Sequence, residues 1–143
     1  MRSTTRHACL ALAVLALAQG AAALDIGDQA PAITGGEWIG GEAVNPADSD
    51  TPVVVEFWAT WCPPCRASMP ALDKMQQEWG ERVAIISVTR EDSQTVKDFL
   101  DKHPSTHRIL IDKDAGVHEA YIEGCGGIPN AFVVGADGTV LWS

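Results

Sequence analysis

Two periods of apolar spacing alternate along this chain. Val53 to Ala59 is apolar apart from Glu56, and Val83 to Thr89 has almost no polar break. Runs of that kind and length predict strands covered on both faces. Between them, Pro63 to Trp79 places Met69, Leu72, Met75 and Trp79 at helical spacing. Pro70 has no N-H to return to Arg66, which predicts a kink in that helix. Ser93 to His103 carries Val96, Phe99 and Leu100 on one face, with Asp92 or Ser93 as cap. A short strand over Ile109 to Ile111 and a brief helix over Ala115 to Tyr121 follow. Ala131 to Val134 and Thr139 to Trp142 are strands joined by Gly135-Ala136-Asp137-Gly138, a hairpin signal. Asp25 to Pro52 is rich in Gly, Pro, Asp and Asn, with Ile33 and Glu37-Trp38-Ile39 as strand candidates, and predicts a loose N-terminal hairpin or arm. Strands alternating with helices, closed by a hairpin, indicate an α/β fold with a central mixed sheet flanked by helices.

The amino terminus departs from this pattern. Arg2 and Arg6 precede an apolar run from Ala8 to Ala18, and Ala21-Ala22-Ala23 supplies small residues for cleavage. Residues 1–23 therefore read as a secretory signal peptide, and the chain is expected in the periplasm or outside the cell. An uncleaved membrane anchor is the other reading of a run this short. Cys9 stands at the start of the run, so it belongs to the leader. Residues 24–143 suffice for one compact domain.

The formal net charge of −9 argues against nucleic acid or an anionic membrane as partner. Beyond the leader the cysteines are Cys62, Cys65 and Cys125, too few for a disulfide-stapled scaffold.

Cys62 and Cys65 stand in Trp61-Cys62-Pro63-Pro64-Cys65, between a strand and a helix. The unpaired N-H groups and partial positive charge of a helix N-terminus stabilise a thiolate. They lower a cysteine pKa from about 8.5 into the range of roughly 3.5 to 7.5. Pro63 and Pro64 fit the first turn, where no intrahelical donor is lost. Cys62 is expected at the exposed cap as the attacking sulfur, with Cys65 one turn inside as the resolving one. Half of a zinc site is the competing reading of the spacing. It requires two more ligands, and Cys125, His103, His107 and His118 are scattered singly, so no metal is assigned. His107 and His118 are expected in solvent.

Val55-Glu56-Phe57-Trp58-Ala59-Thr60-Trp61-Cys62-Pro63-Pro64-Cys65-Arg66, Pro70, Gly127-Ile128-Pro129 and the Asp137-Gly138 turn together resemble the thioredoxin superfamily, and within it exported TlpA/ResA-like thiol-disulfide oxidoreductases, from about Pro31 to Trp142. The resemblance implies a thioredoxin-like fold and a redox-active Cys62–Cys65 disulfide with no further cofactor. It makes Pro129 a cis-proline facing the pair, with Ile128 offering backbone groups to an extended substrate. Trp61 and Pro63 complete the substrate-binding set, Trp58 and Trp61 forming an apolar collar around the turn while Trp79 packs with its helix. Glu56 falls where thioredoxins keep a buried acid that relays a proton to and from the second cysteine. Its other reading is a partly solvated edge glutamate with no catalytic role. The lysine that accompanies the acid in thioredoxins is replaced by Ile85.

Three departures qualify the resemblance. ResA-like proteins carry a glutamate three residues after the second cysteine, where this chain has Ser68. Cys125, four residues before Pro129, is either a third redox thiol or a small residue packed under its loop. The family adds a glycine-led turn and a closing helix after its last strand, whereas this chain stops at Ser143. A C-terminal truncation is therefore expected, leaving a sheet face open near Val133, Val140 and Trp142 or covered by association.

The expected function is reduction of protein disulfides in the cell envelope by a monomer, with a membrane protein as electron donor. A thiol peroxidase of the same fold is one alternative, although Val55 and Ala59 occupy the places where the peroxidatic pattern has proline and threonine. A metal carrier using Cys62 and Cys65 without catalysis is another.

Overall fold

The structure is a computed structural model, and it describes residues 24–143. The predicted signal peptide, with Cys9, lies outside the described residues. Among those described, no helix is long and apolar enough to cross a membrane.

The strands are β1 (Glu37–Ile39), β2 (Val53–Phe57), β3 (Ala84–Thr89), β4 (Arg108–Ile111), β5 (Asn130–Val134) and β6 (Val140–Trp142). They form a single sheet in the order β1-β4-β3-β2-β5-β6. β2, β3 and β4 run parallel, while β1, β5 and β6 each pair antiparallel with their neighbours. The helices are α1 (Pro63–Trp79), α2 (Ser93–Leu100) and α3 (Gly116–Ile122).

One sheet face packs Val55, Phe57, Ile86, Val88, Phe132 and Val134 beneath Tyr121 of α3. On the other, Ile109 and Ile111 pack with Cys65 and Met69 of α1 and Val96 of α2. β3 is buried along its whole length, as its apolar run requires when helices cover both sides.

α1 runs unbroken through Pro70, which sits on the solvent side of the helix. Gln76 fastens α1 to the sheet. Its amide donates to the carbonyls of Gly80 and Val83 at 2.8 and 3.1 Å, and its carbonyl accepts the Ile85 N-H at 3.1 Å. Of the two candidate caps for α2, Asp92 is the one used, accepting the Thr95 N-H at 2.9 Å. α2 stops at Leu100, short of the predicted His103.

The N-terminal segment is an arm and not a hairpin. Its strand β1 crosses the molecule to pair with β4 at the far edge. Gly36 makes that approach with φ +86°, and a Cβ there would lie 2.4 Å from Leu110 Cδ1. Ile33 belongs to no strand; it is buried in the core, with its N-H held by Asn45 Oδ1 at 3.0 Å.

Two surface expectations change, those for Val140 and Trp79. Val140 does not share a face with Val133 and Trp142: it is fully buried in the α3-side core, because the ladder is irregular between Val133 and Val134. Trp142, paired with Val133, is 55% exposed. Trp79 is exposed at the last position of α1, beyond the stretch that packs on the sheet.

Candidate active site

β2 ends at Phe57 and the chain turns through Trp58 to Trp61 into α1. Cys62 is the N-cap of α1 and Pro63 and Pro64 fill its first turn. The two sulfurs form a disulfide with an S–S length of 2.01 Å. Cys62 Sγ also accepts the Cys65 N-H at 3.4 Å, which holds that sulfur at the positive end of a 17-residue helix.

The structure corrects the expected exposure of Cys62. In the disulfide it is only 3% exposed, and Cys65 is fully buried. Trp58, Met69 and half-buried Ile128 pack around the pair. The residues presented to solvent are Trp61, at 69%, together with Pro63 and Pro129. The Ile128–Pro129 bond is cis. Trp58 and Trp61 thus split the collar between them, one as floor and the other as rim. Beside them lies a cleft of about 620 Å³, lined by Trp61, Arg90, Glu91, His118, Gly127 and Ile128 among others.

Glu56 is 4% exposed, and neither carboxylate oxygen has a hydrogen-bond partner. It is therefore no solvated edge residue. Burial pushes its carboxyl up to about 7. It lines an open groove of about 440 Å³ with Ser68, Leu72, Pro129, Ala131 and Trp142. Ser68 lies one turn after Cys65 and donates its hydroxyl to the Cys65 carbonyl at 2.7 Å, so the groove that Glu56 shares runs along α1 one turn past the pair. On β3 its register neighbour is Ser87, and Ile85 pairs with Val54.

Both histidines expected in solvent are buried, His107 at 1% and His118 at 6%. Each is paired through Nδ1 to a carboxylate: His107 to Asp73 at 2.7 Å and His118 to Asp112 at 2.9 Å. Burial pushes each imidazole below its ordinary pKa, against the raising pull of its carboxylate. Cys125 is a half-buried free thiol whose Sγ lies 3.9 Å from the Tyr121 carbonyl, and among the described residues no other cysteine pairs with it. Among the described residues no cluster of three or more His, Cys, Asp or Glu is arranged to hold a metal.

Glu91, Ser87, His107 and Asp73 were not marked as site residues by sequence spacing. Ser87 carried the clearest signal, since a hydroxyl inside an apolar strand needs a buried partner.

The sheet order, the disulfide at the α1 cap and the loop ending in Pro129 define a protein of thioredoxin-like fold. The chain belongs to the AhpC/TSA family, whose model matches residues 26–143. Its structure superposes on that of a protein described as a thiol:disulfide interchange protein DsbE from Chlorobium tepidum. The TM-score is 0.70 and the identity 28%, over 83% of this chain and 84% of that one. The thioredoxin domain of a thiol-disulfide oxidoreductase from Bacteroides vulgatus gives a TM-score of 0.71 at 26% identity, over 84% and 88%. In sequence, the chain is 39% identical over 62 residues to the thioredoxin-like protein YneN of Bacillus subtilis, a match covering 41% of this chain and 36% of that protein.

Proposed function

We propose that this protein is a thiol-disulfide oxidoreductase that reduces protein disulfides in the cell envelope. The observation that carries the proposal is the Cys62–Cys65 disulfide at the positive end of α1, bordered by exposed Trp61 and Pro129. Fold-level likeness alone assigns no chemistry; the paired sulfurs in this setting do.

In the dithiol form, the Cys62 thiolate attacks one sulfur of a substrate disulfide. A Cys62–substrate mixed disulfide forms, and the first substrate thiolate leaves and takes a proton. Cys65 then loses its proton to the Glu56 carboxylate and attacks Cys62 Sγ. The intramolecular disulfide forms and the second substrate thiolate departs. Two electrons pass to the substrate, and Cys62–Cys65 is left oxidised. A membrane donor returns those electrons in each cycle. The Ile128–Pro129 segment and the rim of Trp61 and Pro63 bind an extended stretch of substrate, with backbone groups supplying the contacts. The leader at residues 1–23 supports export.

The test is insulin reduction by dithiothreitol, with Cys62→Ser and Cys65→Ser alongside the unaltered protein. Catalysis is expected to vanish in both, with Cys65→Ser accumulating a mixed disulfide. Retained copper or zinc binding without catalysis in the unaltered protein would overturn the proposal in favour of a carrier. The reduction potential of the pair fixes the direction, since about 30 mV corresponds to about 1.4 kcal/mol for a two-electron couple.

A further inference from the structure

Beneath α1, a line of buried polar groups runs from Glu56 toward the surface. Glu56 on β2 and Ser87 on β3 are register neighbours on parallel strands, so their side chains share one sheet face. Ser87 Oγ lies 2.8 Å from His107 Nε2, and His107 Nδ1 lies 2.7 Å from Asp73 Oδ1. Ser87 and His107 are buried, while the Asp73 side chain retains 17% exposure. The same Asp73 oxygen accepts the Ser105 hydroxyl at 2.8 Å and the Thr106 N-H at 2.7 Å.

Hydrogen-bond polarity along this line follows from its outer end. Burial pushes the Asp73 carboxyl up, but the bonds from Thr106, Ser105 and His107 outweigh it and keep Asp73 ionised. A carboxylate only accepts, so Nδ1 of His107 carries the proton. Burial keeps the imidazole neutral, which leaves Nε2 without a proton and able only to accept. The single Ser87 proton is therefore committed to His107. Toward β2, Ser87 presents lone pairs, which match a carboxylic acid and not a carboxylate.

We propose that Asp73, His107 and Ser87 are positioning residues that govern the proton on Glu56. At rest the line favours the acid form. The titratable groups on this line besides Glu56 are Asp73 on α1 and His107 just before β4; the groove beside Glu56 carries no other charged side chain. Asp73 is the charged group acting on His107.

The inference rests on the reading of Glu56 as the acid serving Cys65, and its test is independent of turnover. In the oxidised protein near neutral pH, side-chain nitrogen resonances of His107 are expected to show a protonated Nδ1 and a bare Nε2. The carboxyl band of Glu56, followed through a pH titration in the infrared, gives its midpoint. In His107→Leu the freed Ser87 hydroxyl donates to the carboxylate, and proton affinity should fall about tenfold, one pKa unit. In Ser87→Ala no donor remains, and the affinity should not fall. A protonated Nε2 in the unaltered protein overturns the proposal, with or without a folded variant. So does a fall of equal size in both variants, the result expected from loosening alone, or no change in His107→Leu. Absence of insulin reduction by a protein with the expected tautomer and midpoints would instead count against the disulfide-exchange reading.

Discussion

The Glu91 carboxylate takes both polar groups of Thr60, the backbone N-H at 2.6 Å and the hydroxyl at 2.7 Å. Thr60 is two residues before Cys62, so a side chain from just beyond the end of β3 fixes the turn that leads into Cys62. The Thr89 hydroxyl, 3.4 Å from Oε2, steadies Glu91 in turn. Glu91→Ala leaves two donors of a half-buried turn without partners, a loss of about 1 to 3 kcal/mol. Exchange should slow along with it, because the turn sets where Cys62 points. Glu91→Gln keeps one acceptor and should fall between. Urea unfolding and insulin reduction on the three proteins check the order; equal behaviour of Ala and Gln would show that the bonds do not hold the turn.

Asp112 plays the comparable part at the start of α3. Its Oδ2 accepts the His118 N-H and lies 2.9 Å from His118 Nδ1, while Oδ1 accepts the Val117 N-H at 3.3 Å. α3 begins at Gly116 after Ala115, which has φ +57° and no side-chain cap, so Asp112 supplies its first-turn acceptors from the end of β4. Asp112→Ala is expected to cost about 2 kcal/mol, in the range for a lost cap and orphaned buried donors. Thermal unfolding checks this; a change below about 0.5 kcal/mol would show that water replaces the carboxylate.

Tyr121 ties the N-terminal arm to α3. Its hydroxyl donates to the Pro31 carbonyl at 2.7 Å, and its ring packs on Phe57 and Phe132. Tyr121→Phe removes the bond and keeps the packing, so the expected loss is about 0.5 to 1.5 kcal/mol. Hydrogen exchange of the Ala30 and Ile33 amides should quicken by a larger factor than that of β3, since the arm opens first. Uniform acceleration across the sheet would contradict a local tether.

What the sequence disclosed and what it hid divide along one physical line. The central strands were legible because apolar runs such as Val53 to Ala59 must be buried whatever surrounds them. The Cys62 cap was legible because cap chemistry is local, with Pro63 and Pro64 marking the first turn. His107 was not legible: a histidine between Thr106 and Arg108 looks solvated until Asp73, on a helix 34 residues earlier, reaches it. Ser87 and Glu56 likewise become neighbours only through the β2–β3 register. Val140 was assigned to the wrong face because an irregular ladder breaks the strict alternation on which face assignment depends.

Glu56 supplies a pH dependence of stability whose sign can be worked out. Burial raises its carboxyl from 4.5 to about 7, so the folded protein binds this proton more tightly than the unfolded chain. The associated stabilisation is fully present below about pH 4.5 and is lost as pH rises through about 7. A gap of that size corresponds to roughly 3 kcal/mol. The groove beside Glu56 offers no cation to offset the charge that forms. Glu56→Gln keeps the shape and removes the ionisation. It should match the unaltered protein near pH 4.5, gain on it steadily through neutrality, and exceed it by up to roughly 3 kcal/mol at about pH 8. Urea unfolding of the oxidised proteins across that window measures the difference directly. Parallel curves would mean that Glu56 binds its proton equally well folded and unfolded, and the acid–base role assigned to it at Cys65 would fall with them. If the curves diverge as expected, the same variant should resolve mixed disulfides more slowly and lose the inflection near neutrality from its single-turnover pH profile, because the group that takes the Cys65 proton is gone.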